Sequence, residues 1–314
     1  MTASGNDSQV HGTVPLANLG ATGALVRPAE TLWSSFWRRF VRHRPAMISL
    51  VVLLFMVVAS FGVSLFVSED AANLIDVQAM RSAPSWEHPF GTDDVGRDMF
   101  LRTLFGGQIS LRIGLLAASI SVVIGITVGT VTGYNTGWID NVLMRITDAL
   151  LSIPTLFILI VLTRVLGDRI GVGNIAFITL VIGMLSWMPT SRIVRAQVLS
   201  LKEQDFVLAA RSLGCQAGRI LVRHIVPNTL APVVVAATLD VGRAIIFEAS
   251  LSFLGLGIQP PTATWGSMLN RAQAYLLNAP WIALFPGIMI LITVLCVNFL
   301  GDGLRDAFDP HSLH

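Results

Sequence analysis

At 314 residues, 53% of them hydrophobic and only 13% charged, with a mean hydropathy of +0.69, the chain lies outside the composition of a soluble globular domain and within that of a bilayer protein. A net charge of +2 is too small to argue for a nucleic-acid partner. The two cysteines, Cys215 and Cys296, lack C-x-x-C spacing and suggest neither a disulfide framework nor a zinc site.

In chain order, residues 1–30 are rich in Gly, Ser, Thr, Ala and Asn without sustained periodicity, the pattern of a disordered cytoplasmic tail. The first apolar run begins too late for a cleavable leader. Residues 31–45 form a basic amphipathic segment. Leu32, Trp33, Phe36, Trp37 and Phe40 recur at helical spacing opposite Arg38, Arg39, Arg42 and Arg44, which fits either an interfacial helix on an anionic leaflet or a plain cytosolic flank. Residues 46–308 then carry six apolar segments near the ~20 residues needed to cross ~30 Å of hydrocarbon. They are expected at Ala46–Val67, Ile113–Tyr134, Ala149–Leu166, Ile175–Met188, Thr229–Leu256 and Trp281–Leu300, followed by a C-terminal tail, 309–314.

Lys and Arg placement orients these spans, because cytoplasmic loops retain cations. With the N-terminus inside, Arg38, Arg39, Arg42, Arg44, Arg192, Arg195, Lys202, Arg211, Arg219 and Arg223 all fall on the cytoplasmic side. The loop 68–110 is external and carries Asp93, Asp94 and Asp98 among other acids. An even number of spans returns the C-terminus to the cytoplasm.

The longest internal loop, 192–228, reads as helix, turn, helix. Phe206 to Leu213 is helical, Gly214 supplies the stop that needs a positive φ, and Gln216 to His224 is helical again before Pro227. Ala209 and Ala210 make a small-residue surface that lets a partner's backbone come close. The spacing of Ala210, Gly214 and Ile220 also mimics a DNA-binding helix-turn-helix, but both ends of the segment enter the membrane at once, leaving it no core of its own.

The run Leu208-Ala209-Ala210-Arg211-Ser212-Leu213-Gly214, followed by His224-Ile225-Val226-Pro227-Asn228, resembles the cytoplasmic "EAA" loop of permease subunits of bacterial ABC importers, with Leu208 where the generic motif has Glu. His88 to Asp98, Glu248 to Gly257 with Gln259-Pro260-Pro261 and Trp265-Gly266, and Gly301 to Asp306 with Asp309-Pro310 resemble the C-type permease of the dipeptide/oligopeptide/nickel group. The resemblance spans Arg44 to His311. It implies an all-α integral membrane protein of six transmembrane helices with the type I ABC-importer permease fold, multi-pass in the bacterial inner membrane. It also implies a homologous second permease, one or two ABC ATPase subunits and an extracytoplasmic binding protein. Leu208, Ala209, Ala210, Arg211, Gly214, Ile225 and Pro227 are then the residues expected to dock the ATPase. Asp93, Asp94, Arg97 and Asp98 are expected on the binding-protein side. Short peptides are the expected cargo, with nickel or another small solute as the alternative.

The chain is not expected to be an enzyme. Its only lysine, Lys202, follows Leu201 and so completes no G-x-x-x-x-G-K-[ST] loop; H-E-x-x-H and G-x-S-x-G are also absent. No cofactor is expected in this chain, and ATP and Mg belong on the partner ATPases. Asp93, Asp94 and Asp98 lack the alternating spacing of a calcium loop. In the second span Gly125, Gly129 and Gly133 form a small-residue stripe suited to internal helix packing, or alternatively to dimerisation. In the fifth, Asp240, Arg243 and Glu248 are the candidates for lining the translocation route or a permease interface; Asp240 and Arg243 are three apart and suited to a structural ion pair, whereas Glu248 has no obvious local partner and is the better candidate of the three. A proton-coupled secondary transporter using Asp240 and Glu248 is the reading from another class, although no internal repeat is detectable. A membrane-tethered DNA regulator is a third.

Overall fold

The computed structural model describes residues 32–170 and 173–309. The expected disordered tail, 1–30, and the C-terminal residues after Asp309 lie outside them, as do the side chains of Leu32 and Trp33. Among the described residues the fold is helical, with one isolated bridge between Thr92 and Asp98.

The basic segment forms α1 (Leu32–Arg42), whose Phe36 ring lies tilted against that of Phe308, centroids 4.4 Å apart, while Phe40 is buried beside Ala46 and Ala307. His43 then turns the chain, its Nδ1 accepting from the Ala46 N–H at 3.2 Å, and Pro45 sits in the first turn of α2 (Arg44–Gly62), where its missing donor costs nothing. A short α3 (Glu69–Ala72) interrupts the outer loop. The chain then enters α4 (Met99–Tyr134), capped by Asp98 Oδ1, which accepts from the Leu101 N–H at 2.9 Å.

This helix begins at Met99 rather than at the expected Ile113. Arg102, Thr103, Gln108 and Ser110 interrupt the apolar residues of its first third, so hydropathy alone assigns that part to the loop before it. Tertiary partners satisfy those polar groups: Gln108 Nε2 donates to the Ser60 carbonyl at 2.7 Å, and Arg102 is bonded to Asn73.

The third expected span is also drawn differently. Instead of one rod from Ala149 to Leu166, the chain makes α5 (Trp138–Leu151) and α6 (Thr155–Ile170), bent by 87° where Ser152-Ile153-Pro154 intervenes. Pro154 lacks an N–H and disfavours helical backbone at the residue before it, so an apolar stretch is folded into two pieces. The remaining long elements are α7 (Ile175–Leu201), capped by Asn174, α10 (Val226–Phe253) and α12 (Trp281–Phe308). Between them lie α8 (Asp205–Ser212), α9 (Ala217–Ile220) and α11 (Trp265–Ala272). Five helices among the described residues are long and apolar enough to span a bilayer, and the bent pair supplies a sixth when taken as one span.

The core lies where α4, α7 and α10 meet, around Ile113, Ala117, Ile178, Ile182 and Leu251. The glycine stripe of α4 brings the first two together. An added Cβ would stand 2.8 Å from Thr190 at Gly125, 2.5 Å from the Ser191 carbonyl oxygen at Gly129 and 2.7 Å from Val198 at Gly133. With no side chains in between, the backbones of α4 and α7 approach to van der Waals distance.

Candidate functional site

The loop expected on the cytoplasmic side forms a hook, built from α8, α9 and the ends of the two helices that flank it. Helix α7 continues past the expected loop start at Arg192 to Leu201. Ion pairs from Arg195 to Asp140 at 2.6 Å and from Arg192 to Asp148 tie this extension to α5. Gly214, at φ +75, stops α8, and the Cys215 N–H reaches back to the Ala210 carbonyl at 3.1 Å. The left-handed turn swings α9 back so that Val207, Ala210, Ile220 and Ile225 bury against Val194 and Val198 of α7. From α9 the chain runs through a single π-helical turn, Leu221–Ile225, straight into α10. The hook therefore has its own hydrophobic anchor and continues into a membrane helix.

This packing divides the expected docking residues. Ala210 and Ile225 face the chain's own core, whereas Leu208, Ala209, Arg211, Gly214 and Pro227 are exposed. The small-residue surface expected of Ala209 and Ala210 is thus half internal, because adjacent helical residues point about 100° apart. Three apolar residues not singled out from the sequence are also exposed: Phe206, Val222, and Leu213 at 85%. Their legible signal is apolar side chains inside a basic, water-facing loop.

In the membrane, Asp240 is fully buried. Its Oδ2 accepts from Ser121 of α4 at 2.9 Å and Thr190 of α7 at 3.0 Å, while Oδ1 lies 2.6 Å from an Arg243 terminal nitrogen. Glu248, expected to have no obvious local partner, is held by hydroxyls: Ser252, one turn on, donates to Oε1 at 2.7 Å, and Ser110 of α4 to Oε2 at 3.3 Å. It is wholly enclosed, and the same hydroxyls accept from the Ile258 and Trp265 backbone N–H groups, so the carboxylate pins the segment after α10 against α4. The charged residue of this group that reaches the subunit surface is Arg243, whose side chain is 42% exposed. A cation there would cost about 2.5–3.5 kcal/mol against lipid on insertion scales, so it faces protein or water in the membrane.

The outer residues Asp93, Asp94, Arg97 and Asp98 close upon one another. Asp93 Oδ2 accepts from Arg97 Nε at 2.7 Å, and its Oδ1 accepts from the Val95 and Arg97 backbone N–H groups at 3.0 and 2.9 Å. Asp98 lies 2.7 Å from His88, and Asp94 pairs with Arg271 at 3.2 Å. They knot the loop onto α4 and α11 rather than displaying charge. Exposed apolar side chains near this loop are instead Trp86, Leu74, Ile75 and Val77, with Leu277 exposed after α11. Among the described residues, no three His, Cys, Asp or Glu side chains are grouped to hold a metal ion.

Comparison with known proteins agrees with this architecture. Residues 121–313 match the family described as "Binding-protein-dependent transport system inner membrane component", and residues 31–84 match the "N-terminal TM domain of oligopeptide transport permease C". The chain is 43% identical over 294 residues to a protein named as a peptide permease of Brucella suis biovar 1, covering 93% of each. It is also 43% identical over 288 residues to the glutathione transport system permease protein GsiD of Escherichia coli O6:K15:H31, covering 91% of this chain and 93% of that one. Among solved structures, an inward-facing form of the MetNI methionine ABC transporter superposes with a TM-score of 0.51 at 18% identity, over 67% of this chain and 98% of that one.

Proposed function

Because the chain belongs to the binding-protein-dependent transport system inner membrane components, as a permease subunit of an ATP-driven importer, we propose that it carries short peptides across the bacterial inner membrane and is driven through its cytoplasmic hook. Family membership sets aside the secondary-transporter and DNA-regulator readings. The observation that carries the coupling role is the hook's construction. Exposed Leu208, Ala209 and Leu213 stand on a unit anchored by Val207, Ala210, Ile220 and Ile225, and the unit runs without a break into α10. A partner bearing on the exposed face would move α10, which carries Asp240 and Arg243.

Its partners are a homologous second permease, one or two ATPases that bind Mg and ATP, and an extracytoplasmic binding protein. The exposed outer apolar residues around Trp86 and Leu277 suit that protein's docking. The relatives named for peptide and glutathione transport favour peptide cargo over nickel. In a strain lacking this chain, di- or oligopeptide uptake is expected to be lost. Unimpaired peptide uptake with defective nickel uptake would reverse the cargo assignment.

The arginine distribution supports a cytoplasmic location for both termini. A Ser85→Cys variant, at an exposed outer position, should react with a membrane-impermeant maleimide in intact cells. Reaction only after permeabilisation would invert the topology.

A further inference from the structure

We propose that Arg243 is the side chain with which this subunit meets the carboxylate of its cargo midway through the membrane; the inference rests on the importer reading above. Three observations converge on it. Arg243 lies well inside the 28-residue α10, remote from either end, where a half-exposed guanidinium requires a polar neighbour. It stands on one continuous stripe of that helix. Below it, Ala231, Val235 and Leu239 line a groove of about 500 Å³ that α7 and α12 flank. Above it, Ile246, Ser250 and Phe253 line another, of about 490 Å³. Successive positions 231, 235, 239, 243, 246, 250 and 253 are three or four residues apart, so all seven share one face.

The third observation concerns the partner. Asp240 is held by Ser121 and Thr190 on two other helices and cannot turn outward, so the guanidinium is gripped from behind while its remaining donors stay available. A planar guanidinium with five donors matches a carboxylate through two parallel hydrogen bonds. Asp240 also neutralises much of the positive charge, so an arriving carboxylate is recognised by geometry without being trapped. A transport route needs this balance, since binding must permit release.

The test uses the whole complex in proteoliposomes, with alanylalanine and alanylalanine amide each presented on saturating binding protein. Asp240→Asn/Arg243→Gln removes the guanidinium without leaving a buried carboxylate unpaired, and Arg243→Lys retains the charge without the fork. The ratio of acid to amide import is expected to fall at least tenfold in the double variant and by a smaller factor in Arg243→Lys. An unchanged ratio in assembled double-variant complexes overturns the proposal. Loss of the second permease from the double variant also overturns it, assigning Arg243 to the permease interface. Failure of the peptide-cargo reading, on which the inference also rests, is separately visible, since the unsubstituted complex would then import neither compound.

Discussion

A Leu213→Arg permease is expected to insert and keep its internal fold but to lose most of the ATP hydrolysis that loaded binding protein stimulates in the complex. Leu213 is 85% exposed at the bend that ends α8, so arginine there meets no neighbour within the chain. Against a partner groove the same change removes apolar contact and brings in a charge that must be desolvated. Central interface residues of this kind cost about 2 kcal/mol or more when changed, equivalent to roughly a thirtyfold loss of affinity. Arg219→Gln, on the exposed face of α9, should be far milder, because a solvated charge contributes little. Ala210→Arg would also impair coupling, but through the permease itself, since Ala210 packs inward beside Val207 and Ile220. The two are separated by co-purification and by the thermal stability of the isolated subunit: Leu213→Arg should change only the first, Ala210→Arg both. Unaltered ATPase recruitment and turnover in Leu213→Arg would remove this residue from the docking face.

The second large effect belongs to the glycine stripe. Gly129→Leu should prevent accumulation of folded subunit, because a Cβ at this position stands 2.5 Å from the Ser191 carbonyl oxygen and 2.7 Å from the Val194 Cβ. Flexible side chains can yield to such a contact, but a helix backbone cannot. Overpacking typically costs about 1–3 kcal/mol and more where backbone must shift, so a loss above about 3 kcal/mol is expected here. Gly62→Ala, where nothing lies within 4 Å, is the matched control and should be close to neutral. Thermal unfolding in detergent, read beside membrane yield, distinguishes the two. A Gly129→Leu subunit as stable as the parent would mean that α4 and α7 do not meet as described.

The amino-acid order alone determined that this is a membrane protein, where most of its apolar segments run, and where the helix-turn-helix hook lies. Those properties follow from hydropathy, arginine placement, and local signals such as Gly214 and Pro227, each of which acts within a few residues of itself. Tertiary structure decided whatever depends on which neighbour satisfies a polar group or occupies a face. The polar start of α4 is helical because Asn73 and Ser60 lie beside it, from elsewhere in the chain. Adjacent alanines at 209 and 210 look alike in sequence, yet a rotation of about 100° per residue sends one to solvent and the other into the hook's core. Likewise Glu248 reads as unpartnered and Arg243 as paired. In the folded chain Ser110, brought from α4, helps enclose the glutamate, and it is the arginine that reaches the subunit surface. Contacts between residues from about ten to more than a hundred positions apart leave no periodic trace in the sequence, and they decide which side of each of these elements is buried.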